Sequence, residues 1–352
     1  MILGHEAGHF FAARAFGLKV NEFGFGFPPR IFAWRPRRTP GKKDGETLRQ
    51  AQGETEYSLN WLLFGGFVKI AGEEDAASGE FGKLESLPPN EKDRYFFFQP
   101  AWKRFLVIAS GVIVNFLIGW FLLSVVFMIG SAPPLAVSGV QRNSPAEKAG
   151  IIPGDVIEHY TVAKDFIDFV NQYRGQPVTI EIRRGSKNLN FSVVPRADTA
   201  PDEGALGVLL SESGIERHGI LNSLGEGLRQ TLYIFGATAV SLYELIKNLL
   251  LHGSLLTGVV GPIGIFSVAV ETGKVGIIYL IKLIGLISIS LAVFNLVPFP
   301  ALDGGRLFLI LIEKIKGSPI SFKLQAWANG LGLIFLLILI ALVSIRDIAQ
   351  WF

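Results

Sequence analysis

Phe105–Gly130 reads FLVIASGVIVNFLIGWFLLSVVFMIG and carries no charged residue. At about 1.5 Å of helical rise per residue such a run exceeds the roughly 30 Å of bilayer hydrocarbon, so it reads as a transmembrane helix. Working outward, Val275–Val297 is a second spanning candidate, and Leu331–Ile345 with its flanks is a third. The chain of 352 residues is 49% hydrophobic and 18% charged, short of the ~25% charge usual in soluble domains. Its mean hydropathy is +0.40. These features describe a polytopic α-helical membrane protein with soluble insertions. Cysteine is absent, which excludes disulfides and thiolate-bound metal and leaves His, Asp and Glu as metal ligands. A net charge of +3 is too small to argue for nucleic acid, and the basic residues read as topology signals.

Residues 2–16 read as a helix closed by Gly17. Residues 18–104 are mixed, rich in Gly, Pro and charge. Within them Tyr57–Ile70 has the aromatic and β-branched character of a strand, broken by Gly65-Gly66. Residues 134–212 are soluble in composition, with strand-like runs at 178–184 and 189–195 and a helical stretch near Lys164–Tyr173. Arg94, Lys103 and Arg104 precede the 105–130 helix, and no Lys or Arg follows it until Arg142. That helix therefore starts in the cytoplasm and ends outside, which makes 134–212 external. The loop from Arg306 to Lys323 is basic and hence cytoplasmic, so the 275–305 segment runs inward and the 326–346 helix runs back out. If Thr231–Leu251 also spanned, the LDGG sequence at 302–305 would emerge about 30 Å from the N-terminal helix motif. Laid on the outer surface as an amphipathic helix over 222–252, with Glu244 and Lys247 wet, it leaves both motifs on the cytoplasmic side.

That N-terminal motif is His5-Glu6-Ala7-Gly8-His9. Residues four apart share a helix face, so both imidazoles can reach one metal ion, with a carboxylate beside the first. This is the zinc and general-base signature of metalloproteases. A catalytic zinc usually has three protein ligands. His159 and His218 fall in the external domain and His252 follows the surface helix, whereas Asp303 stands out in Asn295-Leu-Val-Pro-Phe-Pro-Ala-Leu-Asp303-Gly-Gly-Arg306. A carboxylate at membrane depth is costly and marks function or a partner, and the backbone broken by Pro298 and Pro300 needs protein or a water-filled cavity around it.

With these two motifs and an insertion between them, the chain resembles the site-2 proteases, intramembrane zinc metalloproteases of the bacterial regulator-of-sigma-E-protease type. The resemblance covers nearly the whole chain. It implies Zn2+ held by His5, His9 and Asp303, with Glu6 as base, and cleavage within transmembrane segments. It further implies Asn295 near the substrate backbone and a membrane-associated β-loop around Tyr57–Ile70, in which Gly65, Gly66 and Phe67 would meet an unwound substrate as an added strand. The implied partners are a single-pass transmembrane protein or signal-peptide substrate, a site-1-type protease acting first, and the lipid bilayer; the implied location is the bacterial inner membrane. The segment Asn143-Ser-Pro-Ala-Glu-Lys-Ala-Gly150-Ile-Ile-Pro-Gly154-Asp155-Val-Ile157 resembles the core of bacterial PDZ domains. The asparagine-glycine turn usual after that strand is replaced by Glu158-His159-Tyr160-Thr161.

Two departures from the family accompany these matches. The chain begins four residues before His5, so residues 1–17 read as a truncated or short first transmembrane helix against the roughly 20 residues of a full span. Ser110-Gly111-Val112 lacks the proline that usually follows the glycine, while Asn115 matches. Asn115 reads mainly as an interhelical hydrogen-bonding residue, and Asn295 equally as that or as a substrate contact. Glu271, Glu313 and Arg306 read as interfacial charges, Lys282 as snorkelling outward, and Trp102, Trp327 and Trp351 as belt anchors. The competing function is a non-catalytic scaffold that binds peptides through its PDZ-like domain; a third is a surface hydrolase of soluble substrates.

Overall fold

The computed structural model describes residues 1–36, 55–73, 88–131, 135–185, 187–199, 204–212, 214–252, 261–318 and 320–349. Their elements run α1 (Ile2–Ala15), β1 (Val20–Trp34), β2 (Glu56–Ile70), α2 (Ala101–Ile129), β3 (Leu135–Val140), α3 (Pro145–Ala149), β4 (Val156–Ile157), α4 (Ala163–Gln172), β5 (Val178–Arg184), β6 (Lys187–Val193), β7 (Val208–Glu212), α5 (Ile220–His252), α6 (Pro262–Val275), α7 (Ile277–Leu296), α8 (Asp303–Lys316) and α9 (Phe322–Ala349). Among the described residues three helices are long and apolar enough to cross a membrane: α2, α7 and Leu324–Ala349 of α9. The chain divides into two compact units, Met1–Leu122 with Leu228–Ile265 and Ile284–Phe352, and Leu123–Gly227 with Phe266–Leu283.

In the first unit β1 and β2 are both fifteen residues long and pair with a doubled register, antiparallel where β1 meets Gly66–Ile70 and where Arg30–Trp34 meets Tyr57–Asn60, and in the same direction where Glu22–Phe25 meets Glu56–Leu59. Phe23 lies opposite both Val68 and Tyr57, and Phe25 opposite both Gly66 and Leu59, while Arg30–Trp34 pairs with Tyr57–Asn60. Two strands thus lay down four rows, with the Gly66–Ile70 half of β2 on one edge. β1 went unread in the sequence, although Phe23, Phe25 and Phe27 alternate as a strand requires. β2 runs as one element through Gly65-Gly66, yet Tyr57–Leu59 and Gly66–Val68 pair on opposite edges of β1, so the chain turns back between them as the break at the glycines anticipates. The glycines also mark a close approach: a Cβ on Gly66 would stand 2.9 Å from the Gly24 carbonyl oxygen. The base of the sheet is stitched by Arg30, which donates to Glu22 (2.7 Å) and Glu56 (2.6 Å), and by Arg35, which donates to Glu56 (2.7 Å). Burial pushes the Glu22 carboxyl up, but hydrogen bonds from Ser58 and Lys69 and the charges of Lys69 and Arg30 outweigh it and hold the group below its ordinary range. Phe27, Phe32, Trp34, Trp61 and Leu62 stay exposed, an apolar surface of the kind that meets a membrane.

The sequence reads a spanning segment over 275–305 that carries Asp303 and is broken by Pro298 and Pro300. Here α7 stops at Leu296, the chain turns through 297–302, and Asp303 opens α8. Pro298 and Pro300 remove the N–H groups that would continue α7, which accounts for the interruption. Ala301 in this turn has a left-handed φ of 75°, and its N–H donates to Asn329 Oδ1 at 3.3 Å. Glu313 and Arg306 are not bare interfacial charges. Glu313 is buried, accepts from Arg104 at 2.6 Å, and also accepts from the Ile320 N–H at 3.2 Å. Arg306 pairs with Glu73. Both pairs join α8 to other parts of the unit that holds Asp303. Trp102 and Trp327 are exposed as belt residues would be, and Trp351 lies outside the described residues.

The second unit carries a five-stranded sheet in the order β6-β5-β4-β3-β7, antiparallel throughout. Leu135, Val137, Ile157, Ile180 and Ile182 cover one face, and α4 lays Phe166 and Val170 onto the same core. Ser144 caps α3 by accepting from the Glu147 N–H at 3.1 Å, and Gly150 ends it at φ 84°. Where the asparagine-glycine pair was missing, His159 itself takes φ 69°. Phe166→Ala is expected to cost this core about 3–5 kcal/mol. Limited proteolysis of the intact protein should then cut within residues 134–212 sooner than in the parent, with bound metal unchanged.

Candidate metal centre

The centre starts from how closely α1 can lie on α2. A Cβ on Gly8 would stand 2.6 Å from the Ser110 carbonyl oxygen, so glycine there permits backbone contact. His5 and His9 then sit on the α1 face turned to α2, with their ring centroids 4.7 Å apart and perpendicular. Gly111 of α2 lies directly beneath them: a Cβ there would come within 2.5 Å of His9 Nε2 and 2.7 Å of His5 Cε1.

Asp303 arrives from the opposite direction. Its two following glycines are pressed against the turn, since a Cβ on Gly304 or Gly305 would collide with the carbonyls of Val297 and Phe299 respectively. Asp303 Oδ2 ends 2.8 Å from His5 Nε2 and 3.3 Å from His9 Nε2, and the two Nε2 atoms are 3.1 Å apart. Among the described residues these three form the one group of potential metal-binding side chains.

The donors fit a zinc ion. Ligands about 2.0–2.1 Å from a tetrahedral metal stand roughly 3.3 Å from one another, close to the separations found. Asp303 Oδ2 is buried and near both nitrogens, yet it makes no hydrogen bond of sound geometry to either. Three potential donor atoms that converge this closely are suited to a shared cation. His9 Nδ1 donates to the Val107 carbonyl at 2.8 Å, which leaves the Nε2 lone pair directed at the centre. The fields of His9, His5 and Asp303 all reach Glu6, and a Cβ on Gly66 would be 3.7 Å from Glu6 Cγ, so the edge half of β2 runs beside that carboxylate.

The structure thus brings together His5, Glu6, His9 and Asp303, with Gly66 and Asn295 next to them. Asn295 Nδ2 is 3.4 Å from His5 Nε2. Gly65 faces α1 near Ile2, while Phe67 is turned away, stacked with Phe27 at 6.4 Å and under the Lys69 ammonium. Two residues of the site were missed or undervalued in the sequence. Gly111 gave only its place beside the absent proline as a signal. Asn115, taken for interhelical glue, is fully buried with Nδ2 3.3 Å from His5 Nδ1.

Comparison with known proteins matches the model of peptidase family M50 to residues 1–40 and 45–339. A Clostridium perfringens protein that bears the name zinc metalloprotease is 32% identical over 355 residues, 99% of this chain and 95% of that one. A Rhizobium meliloti protein of the same description is 29% identical over 368 residues, 99% and 93% of the two chains. The regulator of sigma-W protease RasP of Bacillus subtilis is 26% identical over 428 residues, 100% and 96% of the two chains.

Proposed function

Because the chain belongs to peptidase family M50, the site-2 proteases, and is thereby a zinc metalloendopeptidase of a membrane, we propose that it hydrolyses peptide bonds within the transmembrane segments of other membrane proteins. The observation that carries this reading is the convergence of His5, His9 and Asp303 at a helix interruption between apolar spans. His5, His9 and Asp303 are the ligands in this proposal. Bound zinc would supply Lewis acidity towards a water molecule and the scissile carbonyl. Glu6 takes the proton from the attacking water and passes it to the leaving amine.

A helical peptide bond is shielded by its own hydrogen bonds, so the substrate must unwind before it is cut. The Gly66–Ile70 half of β2 pairs with β1 on one side only among the described residues. Its free edge, beside Glu6, can take an extended substrate as another strand. Gly65 and Gly66 keep that edge open to the backbone, and Phe67 acts through the sheet rather than by reaching the metal ligands. Asn295 donates to the substrate backbone. Asn295→Ala is expected to lower kcat/KM about tenfold, the scale of one hydrogen bond lost, with zinc content unchanged; a purified-protein cleavage assay paired with metal analysis checks it.

Residues 134–212 act as a PDZ-like domain. An apolar groove of about 320 Å3 runs between α4 and the edge strand β7, lined by Ile167, Val170 and Leu209, which supports a role in sorting substrates by their external part. The positive-inside pattern puts this domain outside the inner membrane and the metal centre near the cytoplasmic side. The Bacillus relative's name ties that protein to sigma-W regulation. The corresponding role here is regulated intramembrane proteolysis or signal-peptide clearance, after a site-1-type protease trims the substrate. A scaffold with no catalysis would have no use for Glu6 beside the complete ligand set. The test is cleavage of a single-pass transmembrane peptide by zinc-loaded protein in detergent. Cuts inside the apolar segment are expected; cleavage confined to soluble peptides would overturn the proposal.

A further inference from the structure

We propose that Asn115 is a positioning residue for the metal centre: its side-chain oxygen holds the proton on His5 Nδ1 and so frees His5 Nε2 to bind zinc. The proposal rests on the zinc reading of the site above. For His9 the structure already contains such a device, the Nδ1 hydrogen bond to the Val107 carbonyl. Among the described residues no carbonyl takes that role for His5. The groups near its Nδ1 are the amides of Asn115, at 3.3 Å, and Asn295, at 3.5 Å.

A neutral imidazole has one N–H, so a lone pair on Nε2 for a metal requires the proton on Nδ1 and an acceptor facing it. Asn115 meets this need by a half-turn of its amide, which exchanges oxygen and nitrogen with almost no movement of the side chain. The turn breaks no hydrogen bond of Asn115 Oδ1, which is buried without a partner, and gives that oxygen the His5 N–H as its donor. The side chain is placed by its backbone: the Asn115 carbonyl accepts from Ser288 Oγ at 2.9 Å, and both residues are fully buried. α7 thereby fixes the height of Asn115 on α2 opposite the His5 ring. Partners of this kind commonly change metal affinity 10–100-fold when removed.

The test is zinc affinity of the full-length protein in detergent, by competition with a chromogenic chelator, alongside the absorption spectrum of the cobalt-substituted protein. N115L keeps the branched shape of the side chain and removes the acceptor; it should bind zinc 10–100-fold more weakly and shift the cobalt bands. N115D keeps an acceptor but cannot donate, and should restore affinity to within a few-fold of the parent. N115L with parental affinity would overturn the proposal. So would a monodisperse N115D as weak as N115L, since the amide would then be needed as a donor. Should neither variant fold, nitrogen-15 histidine NMR of the zinc-loaded parent decides: His5 protonated at Nδ1 and metal-bound through Nε2 supports the proposal, and binding through Nδ1 refutes it. A parent that binds no zinc at all would instead defeat the assignment of the metal ligands.

Discussion

Glu6→Gln is expected to retain bound zinc and lose at least 10²–10⁴-fold of the cleavage rate, the usual contribution of a positioned general base. Gln has nearly the same shape as Glu, so packing against the β2 edge at Gly66 should survive. What is lost is the ability to take a proton from water. None of the three atoms that converge on the centre belongs to Glu6, so the metal should stay. The measurement needs two readouts on one preparation: zinc per chain and initial rate on a transmembrane peptide. Full zinc with a collapsed rate assigns Glu6 to proton transfer. Loss of both would make it a structural support of the ligands, and a parental rate would remove it from the mechanism.

Much of this centre was legible in the chain because it is local. The four-residue spacing of His5 and His9 is a property of any helix, and an Asp after an apolar run with two prolines is conspicuous wherever it lies. The charge-free run at Phe105–Gly130 likewise announced α2, whose observed limits are Ala101–Ile129. What escaped depends on how segments lie against one another, which spacing along the chain does not report. Asn115 reads as one amide in an apolar helix until α1 is laid against it and His5 turns out to be its neighbour. The doubled pairing of β1 with β2 escaped for a related reason: glycine and proline lower strand propensity locally, yet glycine is what lets Gly66 sit against the Gly24 carbonyl. The two-helix form of 275–316 was foreshadowed by its prolines. Its return path was not, because that depends on Gly304 and Gly305 fitting against carbonyls of the preceding turn.

Gly111→Ala is the smallest change expected to destroy the centre. One methyl group would stand 2.5 Å from His9 Nε2 and 2.7 Å from both His5 Cε1 and His9 Cε1, well inside van der Waals contact of about 3.5–4.0 Å. The rings cannot retreat freely. His9 is tethered through Nδ1 to Val107, and α1 cannot lift off without separating Gly8 from Ser110. Within the helix Ala is favoured over Gly by about 1 kcal/mol, so α2 itself should not suffer, which sets this variant apart from one that simply unfolds. The expected outcome is unchanged helical content and detergent monodispersity, together with zinc occupancy and peptide cleavage both near background. Were G111A to bind zinc like the parent, the imidazoles would have to occupy some place other than the gap above Gly111, and the ligand geometry derived from His5, His9 and Asp303 would fail with it.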